Sequence, residues 1–272
     1  MARVTVNEQS VHVEIYNELA KKTLVLLHGF TGSTKTWQHV VKELPASVKI
    51  IAIDLIGHGQ STAPQTMDAY SMEVQIQLLE DLFEQLAIQA FTLVGYSMGG
   101  RVALSYTARF PKRVTQLILE SASPGLEGQA ERLARKNADD ALADKIAQNG
   151  LQSFIEKWEN IPLFASQKNL PQIIQAEIRN ERMMQREIGL ANSLRGMGTG
   201  VMPALWNQLQ QITMPVTLIT GELDKKFITL NEQMQQHLPK VNHIIVPAVG
   251  HAIHVENPTK FATIVKETIS QI

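Results

Sequence analysis

A serine stands between two glycines in the segment Gly95-Tyr-Ser97-Met-Gly99, directly after the apolar run of residues 91–94. A strand followed by Gly-x-Ser-x-Gly and a helix is typical of a nucleophile elbow, which exposes the serine hydroxyl at a sharp turn. Glycines suit the tightest positions of this turn because they carry no side chain. A glycine-rich turn with a capping serine is the alternative, but the flanking strand and helix favour the elbow.

Two polar residues further along the chain complete the chemistry that such a serine needs. A serine hydroxyl is a weak nucleophile and a weak base unless an imidazole activates it and a carboxylate orients that imidazole. Asp224 follows the apolar run 216–220, and His251 follows the apolar run 243–247. The chain order Ser97, Asp224, His251 therefore predicts a catalytic triad whose members follow strands.

Neighbouring polar residues are alternatives for the two partners of the serine. Glu222 lies two positions before Asp224, and His254 lies three positions after His251. Position in the motif favours Asp224 as the acid and His251 as the base, and leaves His254 as a candidate for the pocket wall. Asp54 also follows a strand-like run, but it precedes the serine and lies in a glycine-containing turn, so we expect it to shape the fold.

A glycine-punctuated loop at residues 26–33 follows another predicted strand. An oxyanion hole takes one backbone N–H from such a loop and a second from the residue after the nucleophile. We therefore expect the N–H groups of Phe30 and Met98 to form this hole. His28 lies in the same loop, and bracing of the loop explains it better than catalysis because the triad already has its base. His58 is expected to be structural in its own turn.

A mostly parallel sheet must position these loops. Short runs rich in valine, isoleucine and leucine alternate with amphipathic stretches, which is the pattern of strands joined by crossover helices. The predicted strands are residues 11–15, 23–27, 49–53, 91–94, 116–120, 216–220 and 243–247. The predicted helices are residues 34–44, 71–86, 99–109, 230–238 and a closing helix after Pro258. Pro111 is expected to stop the third helix, and Asn257 to cap the last one.

The character of the sequence changes between about residues 124 and 204. Charged helical segments dominate this stretch, and strand-like runs disappear from it. We therefore predict an α/β core formed by residues 1–123 and 205–272, which is interrupted by an inserted helical cap of residues 124–204.

Composition excludes several classes of function. The 272 residues are 44% hydrophobic and 19% charged, which is enough for a globular unit with a sizeable core. The net charge is only −1, so nucleic acid and anionic membranes are not expected partners. There is no cysteine, no phosphate-binding loop and no His-Glu-x-x-His zinc motif, so we expect neither a cofactor nor a metal. The N-terminal segment has no apolar signal core, from which we expect a cytoplasmic location.

Taken together, these motifs resemble those of the α/β-hydrolase superfamily, whose triad has the same chain order. Four segments also resemble one family within it, the 2-succinyl-6-hydroxy-2,4-cyclohexadiene-1-carboxylate synthases of menaquinone biosynthesis. These segments are residues 95–103, residues 120–126, Trp158 with residues 162–166, and residues 221–227. The resemblance extends from about Leu24 to Pro258. It implies an α/β-hydrolase fold with a mostly parallel central sheet flanked by helices and a helical cap.

The resemblance implies a lyase that acts on a substrate with several carboxylates. Members of the family eliminate pyruvate from 2-succinyl-5-enolpyruvyl-6-hydroxy-3-cyclohexene-1-carboxylate, a reaction in which the triad serves as a base. Arginines are suited to bind such a small polycarboxylate because they pair with carboxylates through two hydrogen bonds. Arg101 lies four positions after Ser97, one helical turn away. Arg135 and Arg179 match the cap arginines of the family by motif position.

Two aromatic residues and several charged ones have alternative assignments. Trp158 matches a substrate-packing residue of the family, although cap core is an alternative for it, and Tyr96 could line the pocket or support the elbow. Glu159 departs from family members that have a tyrosine at this position. Arg135 could instead form an ordinary surface pair with Glu131. The remaining cap arginines are expected to face solvent: Arg132, Arg182 and Arg186.

Two other functions fit the same residues. A carboxylesterase or C–C bond hydrolase would use Ser97 as a covalent nucleophile, with the same triad and oxyanion hole. A binding module would use the pocket without chemistry, but the intact triad argues against this class. The sequence leaves open whether the protein is a monomer or a homo-oligomer.

Overall fold

The computed structural model describes residues 2–270, which form one eight-stranded sheet with helices on both faces. The strand order is β1-β2-β4-β3-β5-β6-β7-β8, and only the pairs β1–β2 and β2–β4 are antiparallel. The strands are β1 (Ala2–Val6), β2 (Gln9–Tyr16), β3 (Lys22–Leu27), β4 (Val48–Ile53), β5 (Phe91–Tyr96), β6 (Val114–Glu120), β7 (Val216–Gly221) and β8 (Val241–Val246). The predicted, mostly parallel sheet is confirmed.

Strand β1 was absent from the sequence prediction. It is an edge strand that pairs only with β2, and most of its side chains are exposed. A half-exposed edge strand lacks the continuous apolar run that identifies the buried strands of a parallel sheet. The seven predicted strands are all present, with bounds that shift by at most two residues.

The α-helices are α1 (Gln38–Glu43), α2 (Met72–Gln85), α3 (Met98–Arg109), α4 (Gln129–Trp158), α5 (Gln172–Met183), α6 (Glu187–Met197), α7 (Lys225–Gln235), α8 (Ile253–Glu256) and α9 (Pro258–Ile269). Helix α3 ends before Pro111, and the Asn257 side chain caps α9 by accepting a hydrogen bond of 3.0 Å from Lys260 N–H, both as predicted. Helix α7 begins at Lys225, earlier than predicted, because Asp224 caps it.

The two faces of the sheet are covered by separate hydrophobic clusters. Alternate residues of β3 point to opposite sides, so Val25 and Leu27 belong to one cluster and Leu24 and Leu26 to the other. This alternation follows from the two-residue period of a strand. Because both faces are buried, the strands are held firmly, and the loops at their carboxyl ends have a rigid base.

Helices α4, α5 and α6 lie between β6 and β7, in the region predicted to be a cap, together with a 3-10 segment at Pro162–Asn169. Helix α4 is broken at Gly150, whose φ of 79° is left-handed. A small hydrophobic cluster, separate from the two clusters of the sheet, fills the space between α4 and α6. It includes Ile146, Phe154 and Leu190. The proposed division at residues 124 and 204 stays a prediction. No helix within residues 2–270 is long and apolar enough to cross a membrane.

Candidate active site

The turn between β5 and α3 holds Ser97 in a strained backbone conformation. Its φ of 51° and ψ of −106° lie in a region that side-chain-bearing residues rarely adopt, at a cost of about 1–3 kcal/mol. The Ser97 N–H donates a hydrogen bond of 2.8 Å to Glu120 O at the end of β6. A Cβ on Gly95 would lie 2.4 Å from Gly99 O, and one on Gly99 would lie 2.3 Å from Leu27 O. A side chain at Gly95 or Gly99 would therefore prevent α3 from approaching β5 and β3 this closely.

Three loops at the carboxyl ends of β5, β7 and β8 bring the predicted triad together. Ser97 Oγ lies 3.0 Å from His251 Nε2, and His251 Nδ1 lies 2.6 Å from Asp224 Oδ2. Because the carboxylate can only accept, Nδ1–H donates to Asp224 and leaves Nε2 to accept the proton of Ser97. His251 and Asp224 are both buried, and the Phe227 ring packs 4.7 Å from the imidazole. In this geometry, His251 can accept the proton of the Ser97 hydroxyl.

The two alternative partners lie elsewhere. Glu222 is exposed, and its Oε2 accepts a hydrogen bond of 2.9 Å from Ala248 N–H. His254 is fully buried below the site, where Nδ1 lies 2.9 Å from Glu120 Oε1 and Nε2 lies 2.8 Å from Thr36 Oγ1. His254 is not on the pocket wall, contrary to one of the two assignments considered for it. It ties α8 to the strand end that also supports the elbow.

The two residues expected to form the oxyanion hole, Phe30 and Met98, line the same cavity as Ser97. Phe30 follows β3, and Met98 is the first residue of α3. Neither backbone N–H donates to any acceptor in the part of the chain that the structure describes. Two free N–H groups beside the serine can stabilise a developing oxyanion, and the positive end of the α3 dipole adds to their effect. Their role as the hole stays a proposal.

Two buried histidines brace the loop that contains Phe30. His28 Nδ1–H donates to Gly29 O at 2.8 Å, and its Nε2 accepts from Leu55 N–H at 3.0 Å. Burial lowers the pKa of His28 and lowers that of His58 to about 3, so both rings are neutral at physiological pH. The predicted structural roles agree with these contacts. Asp54 shapes the adjoining turn, as predicted, since its two oxygens accept from backbone N–H groups of residues 34 and 60.

The triad opens into a cavity of about 170 Å³ between the core and the cap. Four of the five residues expected to bind substrate line it: Tyr96, Arg101, Arg135 and Trp158. Tyr96 is also a support, because a Cβ on Gly29 would lie 2.5 Å from its ring. Trp158 packs edge-on against Phe30 at 5.5 Å, and thus links the cap to the loop of the expected oxyanion hole.

Three cations line this cavity, namely Arg101, Arg135 and Lys226. Arg101 Nη1 donates to Met197 O at 2.5 Å, and burial, followed by the nearby charge of Arg135, lowers its pKa to about 10. It therefore remains cationic at neutral pH. Arg135 Nε donates to both oxygens of Asp139 at 2.9 and 3.0 Å. The surface pair of Arg135 with Glu131 does not form, and the half-exposed guanidinium keeps its other donors for a ligand.

Arg179 is the expected substrate-binding residue that the structure does not bring to the triad. Its guanidinium pairs with Glu159 and lies 3.8 Å from Glu156, on the wall of a separate cavity in the cap. The carboxylate of Glu159 is thus the charged partner that Arg179 meets in the cap. Two arginines expected to face solvent instead bind backbone carbonyls: Arg132 at residues 126 and 201, and Arg186 at residues 59 and 61.

The cap is fastened to the core beside the expected oxyanion hole. Glu181 on α5 accepts two hydrogen bonds from Ser33, from its N–H at 2.8 Å and from its hydroxyl at 2.6 Å. Gln185 Nε2 donates to Gly32 O at 3.1 Å, and its Oε1 accepts from Gly59 N–H at 3.0 Å. Burial raises the pKa of Glu181 to about 7. These contacts join the cap helix to the loop that carries Phe30.

Sequence reasoning missed part of the site. Lys226, Ser193 and Phe164 also line the catalytic cavity. Lys226 could have been found, since it stands two positions after Asp224 at the start of a helix above the sheet. Phe164 lies in the segment 162–166 that carries part of the family resemblance, but it was not singled out as a site residue. Nothing in the sequence pointed to Ser193, which enters the site through the packing of the cap. Within residues 2–270, no three acidic or histidine side chains converge in a way that could hold a metal ion.

Comparisons with known proteins agree with this architecture. Residues 22–258 match the model of the α/β hydrolase fold family. The chain is 46% identical over 253 residues to a putative 2-succinyl-6-hydroxy-2,4-cyclohexadiene-1-carboxylate synthase of Bacillus subtilis, with 93% of this chain and 92% of that protein covered. The structure of MenH from S. aureus is 36% identical and superposes with a TM-score of 0.91, covering 96% of this chain and 98% of that one.

A more distant structure extends the comparison to the fold alone. An esterase from Exiguobacterium antarcticum is 22% identical and superposes with a TM-score of 0.85, with 98% of each chain covered. At this identity the shared architecture carries no information about the reaction. The much closer matches decide the family: the chain belongs to the α/β hydrolase fold family and, within it, to the 2-succinyl-6-hydroxy-2,4-cyclohexadiene-1-carboxylate synthases.

Proposed function

We propose that this protein is a carbon–oxygen lyase of menaquinone biosynthesis. It eliminates pyruvate from 2-succinyl-5-enolpyruvyl-6-hydroxy-3-cyclohexene-1-carboxylate and gives 2-succinyl-6-hydroxy-2,4-cyclohexadiene-1-carboxylate. The observation that carries the proposal is that Ser97 and His251, which form a triad with Asp224, line the same cavity as Arg101 and Arg135. The names of the close relatives support the same reaction.

The triad acts as a base in this reaction. Ser97 removes the ring proton next to the succinyl ketone, and its own hydroxyl proton passes to His251 Nε2, 3.0 Å away. Asp224 keeps the imidazole in the tautomer that can accept it and stabilises the imidazolium that forms. The electron pair moves through the ring and breaks the C–O bond to the enolpyruvyl group. Enolpyruvate leaves and becomes pyruvate when it takes up a proton.

The negative charge that develops on the ketone oxygen needs a partner. The free N–H groups of Phe30 and Met98 supply two donors there, and loss of one such donor costs about 3–4 kcal/mol of transition-state stabilisation. Arg101 and Arg135 bind carboxylates of the substrate, and the Trp158 and Tyr96 rings form apolar walls for the cyclohexene ring. No acyl-enzyme forms on this route.

The test is release of pyruvate from the purified protein. The enolpyruvyl substrate is mixed with wild-type protein, and pyruvate is followed through NADH oxidation by lactate dehydrogenase. A sample without protein corrects for spontaneous elimination, and Ser97→Ala is the matched inactive variant. We expect wild-type release far above both controls. Equal release by wild type and Ser97→Ala would remove the serine from the mechanism.

A carboxylesterase or C–C bond hydrolase is the second candidate. The triad and the free N–H groups of Phe30 and Met98 suit an acyl-enzyme mechanism equally well. The same samples are therefore tested with p-nitrophenyl acetate. Ester cleavage that depends on Ser97, without release of pyruvate, would assign the triad to hydrolysis. The cytoplasmic location expected from the sequence stays a prediction.

A further inference from the structure

One cation in the cap lacks an acidic partner although it is buried. Arg182, in the last turn of α5, is only 7% exposed. Its guanidinium carbon lies 4.6 Å from the centroid of the Phe164 ring, and Nη2 donates to Gln167 Oε1 at 3.1 Å. Among residues 2–270 this amide oxygen is its only hydrogen-bond acceptor, and no carboxylate lies within 4.0 Å. Four of its five N–H donors are thus free.

Such an arrangement is unusual for a buried arginine. Removing a charged group from water is unfavourable unless an opposite charge or several hydrogen bonds replace the lost hydration. The half-buried Arg113 of the core has such compensation, since it pairs with Glu80 at 2.7 Å. Burial lowers the pKa of Arg182, and the charges of Glu159 and Glu181, both beyond ion-pair distance, offset only part of this effect. A ring face and one amide oxygen compensate only part of this charge.

The free donors face a cavity. Arg182 lines a space of about 480 Å³ in the cap, within the usual range for a small-molecule site. Arg179 and Lys168 lie on the same wall, and Glu159 is the only acidic residue among those that line the cavity. Glu159 is already paired with Arg179. The cavity therefore has an excess of positive charge and attracts anions.

The two cavities share one side chain. Phe164 lines the cap cavity and the catalytic cavity, and its ring centroid lies 6.3 Å from that of His251. The arginine that stacks on one side of Phe164 is thus separated from the triad by this ring. A carboxylate bound at Arg182 would lie close to the reaction without touching the catalytic groups.

We propose that the cap cavity is a second carboxylate-binding site and that Arg182 is its main ligand-binding residue. The ligand has two sources. One is the succinyl arm of the substrate, which rests on the proposed function and whose single free carboxylate would pair with the guanidinium of Arg182. The other is a separate small dicarboxylate, which does not rest on it: one of its carboxylates would pair with Arg182, and the second would lie near Lys168 or displace Glu159 from Arg179.

The site is tested with succinate by isothermal titration calorimetry at low ionic strength. Arg182→Met keeps an unbranched side chain over Phe164 and removes the charge, and we expect it to bind succinate at least about tenfold more weakly than wild type. Arg182→Lys keeps the charge and should recover part of the affinity. The matched control is Lys145→Gln, the same loss of charge on an exposed side chain of α4, which should bind within about twofold of wild type.

A third variant separates the two cavities. Arg101→Met removes a cation from the catalytic cavity and should leave the affinity for succinate within about threefold of wild type. Thermal unfolding of every variant checks the fold. The proposal is overturned if wild type does not bind succinate, if Arg182→Met binds it as wild type does, or if only Arg101→Met loses it.

Steady-state kinetics then distinguish the sources. If the succinyl arm occupies the site, KM of Arg182→Met rises about tenfold and succinate is a competitive inhibitor. If a separate metabolite occupies it, KM is unchanged and succinate is not competitive. Both results support the site. If wild type releases no pyruvate at all, the proposed function fails, whereas calorimetry still decides whether Arg182 binds dicarboxylates.

Discussion

The two walls of the catalytic cavity are built in different ways. On the core side, backbone geometry and short hydrogen bonds fix the triad. Ser97 follows β5, and its Oγ lies 3.0 Å from His251 Nε2, while His251 Nδ1 lies 2.6 Å from Asp224 Oδ2. On the cap side, Arg135 is held by an ion pair with Asp139, and the buried Arg182 of the neighbouring cap cavity has no carboxylate within 4.0 Å. The triad is thus connected before any substrate binds, whereas the cap presents arginines whose hydrogen-bond donors are only partly used.

The largest expected effect comes from the core side. Ser97→Ala removes the group that abstracts the proton, so kcat should fall at least about 10³-fold while KM changes little. Pyruvate release under saturating substrate measures it. Ser105→Ala, on the same helix, removes a buried hydroxyl that has no partner and should keep full activity. A Ser97→Ala variant with a raised KM and an unchanged kcat would mean that the serine only binds substrate.

Arginines on the two cavities should differ in effect. Arg101→Gln removes a charge-assisted contact in the catalytic cavity and should raise KM about 10- to 100-fold. Arg179→Gln should raise it less, because Glu159 holds Arg179 in the cap cavity. Initial rates over a range of substrate concentrations give both values. Equal effects would show that Arg179 leaves Glu159 and reaches the substrate.

The strain at the elbow predicts a conflict between stability and activity. Ser97→Gly relieves the φ of 51°, so its free energy of unfolding should exceed that of Ser97→Ala by about 1 kcal/mol. Both variants lack the hydroxyl and should be inactive. Urea unfolding of the two variants measures the difference. Equal free energies of unfolding for the two variants would mean that the backbone strain at position 97 does not depend on the side chain there.

The last expected effect is on the pH dependence of stability and concerns the contact between cap and core. Burial raises the pKa of Glu181 from 4.5 to about 7. Between these values the folded protein binds more protons than the unfolded chain, so its stability falls as pH rises. Glu181→Gln should remove this part of the slope in urea unfolding between pH 4.5 and 7.5. Glu43→Gln, an exposed carboxylate, should keep the wild-type slope, and equal slopes in all three proteins would contradict a buried, titrating Glu181.

The core was largely predictable because its signals are local. The order of strands and helices, the elbow and the triad follow from apolar runs, glycines and residues directly after strands. The exposed edge strand β1 lacked that signal, and the start of α7 depended on Asp224, whose capping role the sequence did not suggest. Asp54 and His28 were correctly assigned to the fold because each lies in a turn with nearby backbone donors and acceptors.

The sequence predicted that the cap consists of helices, but it did not predict the contacts that the cap side chains make. The positions of Arg101 and Arg135 in the catalytic cavity agree with expectation, whereas Arg179 lies with Glu159 in the neighbouring cavity. Arg182, expected to face solvent, is buried on Phe164. A sequence gives the spacing of charges along a helix, but the crossing of that helix with others decides which face meets solvent.

The sequence by itself determined the sheet, the elbow and the chain order of the triad, because strand periodicity and turn chemistry act over a few residues. Only the tertiary structure decided the rest. It paired Arg179 with Glu159, fastened Glu181 to the loop of Phe30, and buried Arg182 beside a second cavity. These contacts join residues that are distant in the chain, and their free energies depend on burial and on the partner that each charge meets.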